Sequence, residues 1–577
     1  MKKILLLSIT FLIPWLTNAQ PFTHADTLRG SNGPGRDWWD VTHYDLHVKF
    51  NIPDSTISGY NIISFKAKPG FPQFFQIDLQ SPLILDSAIV DFGYRFYSKK
   101  IKGQTRTIVR SQRRKLNVGQ DGNAWFVKLD YAGRENDRRP VLKIKDTAGF
   151  IPNLTIYYHG KPQAAKLPPW DGGVVWKKDK WGNPFIGVAC QEIGASVWYP
   201  CKDYQGDEPD SASMSFTGPD SLMIISNGRM RDSVNNHDGT HTLTWAVVNP
   251  INNYDISPYI GKYVHWREMY PGLDGPLTMD YWVLDSNLTI AKKHFEDATR
   301  MMKAFEYWFG PYPFYKDGYK LVEAPYLGME HQSAIAYGNH FDEGYLGRDL
   351  SGTGWGLKWD FIIVHESAHE WFGNNITTKD IADMWVHEAF ANYAETLFTE
   401  YYYGKKAGTD YIVGVRKNIR NDKPIIGFYG VNNEGSGDMY YKGGNMIHAI
   451  RQIINNDEKF RSVLHGLSSQ FRHQTVWGKQ IEDYISEKSG IDFSKVFEQY
   501  LTTTKIPVLE YKTENGRLFY RWADCVDGFN MPVRIFDNAG KLKWIHPTGA
   551  WQVAGDEFNT VKADENFYVN VKETGDD

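Results

Sequence analysis

The sequence predicts a multidomain α+β protein, because strand-like, helical and again strand-like patterns follow one another along the chain. Alternating apolar and polar residues, as at residues 44–50, extend over about residues 24–263. Helical periodicity then dominates residues 291–501, and short strand patterns return after Pro507. The length of 577 residues is enough for about three or four domains of roughly 150 residues. The predicted order is an N-terminal β-sheet domain (20–265), an α-rich domain (266–504) and a small C-terminal β domain (505–577).

The first residues have the layout of a bacterial-type secretory signal. Lys2 and Lys3 precede an apolar run, residues 4–15, and small residues follow up to Ala19. We therefore expect a signal peptide over residues 1–19 and a periplasmic or secreted mature protein. No later apolar segment reaches the length of about 20 residues that a membrane-spanning helix needs, so no stable membrane anchor is expected.

Composition and charge exclude several classes of protein. Hydrophobic residues make up 42% and charged residues 23% of the chain, which excludes a disordered chain and a polytopic membrane protein. The net charge of −4 gives no basic field for nucleic acid, and the basic stretch at residues 99–115 lacks interleaved aromatics, which favours a solvated hairpin. Aromatic residues reach 15%, which is compatible with sugar-stacking platforms and with large apolar cores.

The three cysteines do not form a disulfide framework, which would need more of them in an exported chain. Cys190 and Cys201 could form one bridge, or all three thiols, including Cys525, could be buried and free.

The strongest local signal is the motif His365-Glu366-x-x-His369. Residues four apart on a helix share one face, so both histidines can reach one ion, and Glu366 lies where it can act as a base. The alternative is an ordinary amphipathic helix with two surface histidines.

A third ligand is expected on a second helix. Gly373 can end the first helix, and a second helical pattern runs over about residues 382–403. Glu388 follows His369 after eighteen intervening residues, and Glu395 lies two turns further along the same face. We predict Glu388 as the third ligand of a zinc ion and Glu395 as the group that orients a ligand histidine. Either glutamate could instead be a solvated surface carboxylate.

The combination of His365, Glu366, His369 and Glu388 resembles the zinc signature of the gluzincin aminopeptidases, the family of alanyl aminopeptidase and leukotriene hydrolase. The resemblance extends through residues 371–374 and 383–391, where His387 and Ala389 replace the family's Asn and Gly. It implies a thermolysin-like catalytic domain in residues 266–504. It also implies one Zn²⁺ held by the two histidines and Glu388, with Glu366 as the general base.

Residues 327–331 resemble the family's Gly-x-Met-Glu-Asn motif, although Leu327 and His331 depart from it. The resemblance implies that Glu330 binds the free α-amine of the substrate, with Gly328 and Met329 beside it. A carboxylate suits this role because a desolvated ammonium must be paired. Taken without the family, Glu330 would be a solvated loop residue.

Residues 440–443 resemble the family's Tyr-x-Lys-Gly motif, which implies that Tyr440 stabilises the oxyanion of the tetrahedral intermediate. Tyr441 is the alternative by one residue, and without the family either tyrosine would belong to the core.

Residues 190–203 resemble the family's Gln-x-Gln/Glu segment, which places Gln191 beside the substrate amine while Ala189 replaces the first glutamine. Glu192 would take that position if the register slipped, and the pair could also be a polar strand end without a ligand.

The resemblance identifies the chain as a short exported member of this family, acting on peptides with a free N-terminus. Only about 70 residues follow Pro507, half a typical domain, so a more open cleft is expected and no arginine for the substrate carboxylate is assigned. Another zinc hydrolase, either an endopeptidase or an epoxide hydrolase, is the first alternative. A non-catalytic binding protein, such as a glycan binder, is the second.

Overall fold

The structure is a computed structural model that describes residues 22–68, 74–101, 104–129, 151–515 and 517–575. The predicted signal peptide, residues 1–19, lies outside the described residues. Among the residues that the structure describes, no helix combines the length and apolarity that crossing a bilayer requires.

The N-terminal region is built from β-sheets. Within the described residues, one sheet has the strand order β12-β13-β10-β1-β2-β7-β4-β5-β6-β3, and a second has the order β11-β14-β9-β8. The strands β4 and β5 pair in antiparallel fashion, so the described residues of the basic stretch at 99–115 lie on two adjacent strands. The strands are β1 (Trp39–Asn51), β2 (Thr56–Ala67), β3 (Phe74–Asp78), β4 (Ile84–Ile101), β5 (Gln104–Asp121), β6 (Ala124–Lys128), β7 (Asn153–Gly160), β8 (Gly173–Lys178), β9 (Pro184–Ala189), β10 (Ser211–Pro219), β11 (Met223–Ile225), β12 (Arg229–Asn235), β13 (Thr240–Val247) and β14 (Tyr259–Gly261).

The first element, however, is a helix and not a strand. Helix α1 (His24–Gly30) precedes β1, whereas the alternation was expected to begin at residue 24. Thr23 caps this helix by accepting a hydrogen bond from the amide of Asp26, whose carboxylate accepts one from the amide of Thr23. This capping box decides the local structure in favour of a helix.

The middle region combines a five-stranded sheet with helices. Its sheet has the order β15-β16-β17-β19-β18, so β18 lies at an edge. The strands of the region are β15 (Tyr263–Gly272), β16 (Gly275–Leu284), β17 (Tyr319–Glu323), β18 (Gly328–Met329), β19 (Ile335–Tyr337), β20 (Ile376–Thr378) and β21 (Gln474–Val476). The helices are α2 (Leu288–His294), α3 (Glu296–Phe309), α4 (Phe361–Ala368), α5 (Trp385–Tyr403), α6 (Lys405–Gly414), α7 (Tyr441–Ile454), α8 (Asp457–Gln470), α9 (Gly478–Ser489) and α10 (Ser494–Thr502).

The C-terminal region returns to strands, as the sequence predicts. A four-stranded sheet has the order β26-β23-β22-β27, and β24 pairs with β25. The strands are β22 (Val508–Glu514), β23 (Arg517–Ala523), β24 (Val533–Phe536), β25 (Leu542–Ile545), β26 (Gln552–Val553) and β27 (Asn570–Glu573).

Two hydrophobic cores hold the described chain together. One is formed mainly by the N-terminal sheets and also takes in side chains of β17 to β19, such as Val322 and Ala336. The other is a single cluster of contacting buried side chains, of which Tyr270 is the first in the sequence and Phe567 the last. The C-terminal strands therefore share a core with the helices of the middle region. The multidomain α+β fold class is confirmed, and the domain boundaries at 265 and 504 remain predictions.

The cysteines are free thiols. Cys190 and Cys201 are buried and Cys525 is half-buried, so of the two possibilities the structure contains the one without a bridge. The Cys190 thiol donates a hydrogen bond to the carbonyl of Tyr254 at 3.2 Å.

Candidate active site

The motif that carries two histidines lies on helix α4. Asp360 begins this helix, because its side chain accepts a hydrogen bond from the amide of Ile363 at 3.0 Å. His365 and His369 then follow one turn apart, with their rings 5.1 Å apart and both side chains buried. A short buried helix thus aims both imidazoles at one point.

The backbone after α4 breaks at Phe372 and Gly373, and the break orients a ligand. Both residues leave helical geometry within a π-helical turn, and Gly373 has a φ of 140°, where a side chain would be strained. The freed carbonyl of Phe372 accepts a hydrogen bond from Nδ1 of His369 at 3.0 Å. Nε2 of His369 is therefore left as the ring's acceptor nitrogen, which is the form that binds a metal.

Helix α5 supplies the third member of the set. Oε2 of Glu388 lies 3.6 Å from Nε2 of His365 and 3.5 Å from Nε2 of His369. These separations exceed ordinary hydrogen bonds and are close to the spacing of about 3.3 Å between donors of a tetrahedral zinc site with bonds of about 2.0–2.1 Å.

A second observation indicates that these residues suit a cation. Oε2 of Glu388 is fully buried and has no hydrogen-bond partner among the described residues. A buried carboxylate oxygen without a partner is costly, and a divalent cation between the three donor atoms would remove that cost. The donor set of two imidazoles and one carboxylate is one that catalytic zinc sites use.

Glu395 holds the other ligand histidine. Its Oε1 accepts a hydrogen bond from Nδ1 of His365 at 2.8 Å, and its Oε2 accepts one from the hydroxyl of Tyr411 at 2.6 Å. Glu395 is fully buried and contacts the ligand directly, which fits the predicted orienting role.

Replacing Glu395 by glutamine is expected to weaken zinc binding by about 10–100-fold, because the amide cannot match the carboxylate as an acceptor for His365. Competition for zinc with a chromogenic chelator measures this affinity. Glu458→Gln, on the exposed face of α8, is the matched control and should keep the wild-type affinity. Equal zinc affinity in the Glu395→Gln variant would contradict the orienting role.

Glu366 lies beside the ligand set, and a glycine makes room for it. A Cβ on Gly328 would stand 2.6 Å from Oε1 of Glu366 and 2.9 Å from Ile362, so only glycine allows this approach of β18 to α4. Burial raises the pKa of Glu366 to about 8, with further contributions from neighbouring carboxylates. A divalent cation nearby would lower that pKa.

Glu330, at the end of β18, is buried in a polar environment at the boundary with the N-terminal sheets. It accepts hydrogen bonds from Nε2 of Gln191 and, at 3.3 Å, from the hydroxyl of Tyr254. Asn374 anchors its backbone through a hydrogen bond of 2.7 Å to the carbonyl oxygen. Burial raises the pKa of Glu330 to about 7. Gln191 therefore contacts Glu330, and its place beside a substrate amine stays a prediction; Tyr254 was not predicted as a site residue.

The two adjacent tyrosines face different surroundings. The ring of Tyr440 lies 6.0 Å from the ring of His365 and is nearly parallel to it. Tyr441 makes no ring contact with either ligand histidine in the described part of the chain, and its neighbours include Tyr345 and Arg420. Tyr440 is thus the tyrosine beside the ligand set.

The predicted ligands, the base Glu366, Glu330, Gln191 and Tyr440 all line one cavity of about 920 Å³. It brings together the predicted residues from four separate parts of the sequence, including Gly328 and Met329. It also contains residues that sequence reasoning missed, because no motif surrounds them: Trp170, Glu434, Lys417 and Arg420.

Comparisons with known proteins agree with this architecture. The profile described as the peptidase family M1 domain matches residues 294–500. An aminopeptidase N of Lactobacillus helveticus is 26% identical over 516 residues, which cover 82% of this chain and 52% of that protein. A leucyl aminopeptidase of Saccharolobus solfataricus is 25% identical over 209 residues, 34% of this chain and 26% of that protein.

Solved structures show the same fold. An M1 zinc metallopeptidase from Deinococcus radiodurans superposes with a TM-score of 0.60 at 20% sequence identity, over 82% of this chain and 96% of that chain. A mutant of the Deinococcus enzyme bound to a Tyr-Ser-Ala substrate gives a TM-score of 0.61 at 19% identity, with the same coverage.

The fold is that of solved M1 zinc metallopeptidases, and the matched domain carries the same family description. The match over residues 294–500 and the aminopeptidase relatives support membership of peptidase family M1, the gluzincin aminopeptidase family that the motifs predict. The chain spans about half the length of the Lactobacillus relative and a smaller share of the Saccharolobus one.

Proposed function

We propose that this chain is a zinc-dependent aminopeptidase, which removes the N-terminal residue from peptides that have a free α-amine. One observation carries the proposal: carboxylate oxygens of Glu330 and Glu366 and a ring nitrogen of His369 lie within 4.8 Å of one another. An anchor for an ammonium, a base and a metal ligand are therefore close enough to act on one peptide bond.

Glu330 would fix which bond is cut. A substrate ammonium that donates to this carboxylate has its carbonyl carbon two bonds away, at about 2.5 Å from the nitrogen. Since Glu366 is adjacent, only the first peptide bond comes within its reach. Gln191 and Tyr254 hold the Glu330 carboxylate by donating to it, so its position is set before the substrate arrives.

His365, His369 and Glu388 would hold one Zn²⁺ ion. Zinc at this position supplies Lewis acidity, which lowers the pKa of a water molecule and polarises a carbonyl group. The chain's own contribution to proton transfer is Glu366, whose carboxylate accepts a proton from the attacking water. The protonated Glu366 then returns this proton to the nitrogen of the leaving amine.

Two further groups would complete the site. The hydroxyl of Tyr440 donates a hydrogen bond to the oxygen on which negative charge develops. Strand β18, Gly328–Met329, pairs with β19 on one side only, and its free backbone groups can pair with an extended peptide.

A panel of aminoacyl anilides with free and with acetylated N-termini tests this function. The zinc-loaded protein is expected to cleave the free substrates and to refuse the acetylated ones, because an acetylated nitrogen carries no ammonium for Glu330. Removal of zinc with a chelator should abolish the activity, and added zinc should restore it.

Other outcomes of this panel would contradict the proposal. Equal cleavage of free and acetylated substrates would favour an endopeptidase, since the α-amine would then make no contribution. Activity that survives complete zinc removal would exclude the zinc mechanism. Hydrolysis of an epoxide without cleavage of any anilide would favour the epoxide hydrolase alternative.

A further inference from the structure

Both acidic and basic side chains line the cavity. Carboxylates of Glu330, Glu192 and Glu434 line it beside Gln191. Lys417 and Arg420 line it elsewhere, next to the apolar wall formed by Tyr345, Leu350 and Phe361. A short peptide at neutral pH carries an ammonium at one end and a carboxylate at the other, so its own charges match this arrangement.

Tyr440 and Tyr441 have different charged neighbours. The acidic neighbours of Tyr440 include Glu192, Glu330 and Glu434. Tyr441, one residue later, has the carboxylate of Glu395 and the cation of Arg420 near it. The apolar wall connects the ligand set to Tyr345. The ring of Phe361 stacks on His365 at 5.1 Å, and the ring of Tyr345 packs edge-on against Phe361 at 5.2 Å.

Lys417 and Arg420 are cations without a protein partner. Both side chains are exposed, and neither forms an ion pair or a side-chain hydrogen bond with any residue that the structure describes. Their backbone is nevertheless held in place. The amide of Arg420 donates to Asp438 at 2.8 Å, and Asn418 between them donates to the carbonyl of Leu350 at 3.3 Å.

The Lys417 ammonium lies beside Gly352, two residues after Leu350 of the apolar wall. A Cβ on Gly352 would stand 2.5 Å from Nζ of Lys417, so the ammonium lies against this residue and near the side of Leu350. An anchored segment therefore presents two unpaired cations to the cavity.

We propose that Lys417 and Arg420 bind the C-terminal carboxylate of the substrate, so that the preferred substrates are short peptides with a free C-terminus. This inference rests on the proposed function. The cavity volume of about 920 Å³ lies within the range of roughly 300–1,000 Å³ for sites that take small ligands. Ion pairs with a carboxylate are strong when they are partly desolvated, and a longer peptide would place its carboxylate beyond these two side chains.

The test compares a tripeptide that has a free C-terminal carboxylate with the same tripeptide as its C-terminal amide. The zinc-loaded wild-type protein is expected to show a kcat/KM for the acid about tenfold or more above that for the amide, as is usual for a hydrogen bond to a charged group. Arg420→Gln and Lys417→Met should each lower this ratio towards one, and Arg420→Lys should restore part of it.

The ratio is measured within one protein preparation, so partial misfolding of a variant cancels from it. Lys358→Met, which removes an exposed lysine outside the cavity, is the matched control and should keep the wild-type ratio. A wild-type ratio within about twofold of one, or a preference for the acid that survives both substitutions together, would overturn the proposal.

Two additional measurements separate this inference from the proposed aminopeptidase function. Anilide substrates have no C-terminal carboxylate, so their cleavage by the wild-type protein tests the proposed function alone. Calorimetric binding of the two tripeptides to the zinc-loaded Glu366→Gln variant tests the carboxylate contact without turnover. Tighter binding of the acid would support the contact, and equal binding would overturn it.

Discussion

Replacing Glu366 by glutamine is expected to lower kcat for aminoacyl anilides by about a hundredfold to ten-thousandfold, while the protein still binds one zinc ion. Glutamine has the shape of glutamate and fills the space opposite Gly328, but its amide cannot accept a proton from water. The ligand atoms of His365, His369 and Glu388 are unchanged. Steady-state kinetics together with metal analysis of the same sample measure both parts of the expectation.

The control for this variant is Glu296→Gln on the exposed side of α3, which should retain wild-type turnover and zinc content. Full activity of Glu366→Gln would exclude Glu366 as the base. Loss of zinc from this variant would instead mean that Glu366 supports the metal site, and the assignment of roles would have to change.

Replacing Tyr440 by phenylalanine is expected to lower kcat by roughly a hundredfold or more, with a smaller effect on KM. The hydroxyl would act on the oxyanion, which exists only in the transition state and the intermediate, so its removal affects turnover more than substrate binding. The ring that lies 6.0 Å from His365 remains in place. Kinetics at several substrate concentrations separate kcat from KM.

Tyr441→Phe is the matched comparison, because it removes the same hydroxyl one residue further along the chain. Its loss of kcat should be much smaller than that of Tyr440→Phe, since Tyr441 lies away from the ligand histidines. A larger loss in Tyr441→Phe would show that the motif assigns the wrong tyrosine.

The parts of the site that lie on neighbouring helices could be predicted from sequence. His365 and His369 are one helical turn apart, and Glu388 and Glu395 are two turns apart, so local periodicity already places each pair on one face. The gap between His369 and Glu388 leaves room for a return, and the structure fills it with a π-helical turn and the short strand β20.

Contacts between distant segments could not be predicted in this way. Tyr254 and Gln191 meet Glu330 because the N-terminal sheets pack against the strands β17 to β19. No local period describes such a contact. Lys417 and Arg420 were missed for a related reason, since exposed cations in a loop look the same whether they face a cleft or open solvent.

The helical start of the chain shows a different limit. The sequence pattern predicts strands from residue 24, whereas residues 24–30 form helix α1. The capping box of Thr23 and Asp26 was present in the sequence, and it outweighs a weak alternation over so few residues. Local hydrogen-bonding chemistry therefore decided an element for which the pattern of apolar residues carried little information.

The two ligand histidines differ in the kind of group that orients them, and therefore in how a mutation can affect them. A carboxylate side chain orients His365, so a single codon change at Glu395 can alter the metal site without touching a ligand. A main-chain carbonyl orients His369, and no substitution removes a carbonyl. A change at Gly373, whose φ of 140° permits the turn, would disturb this bond through the backbone. Natural variation can thus alter the orientation of His365 through the side chain of Glu395, while the orientation of His369 depends on the backbone.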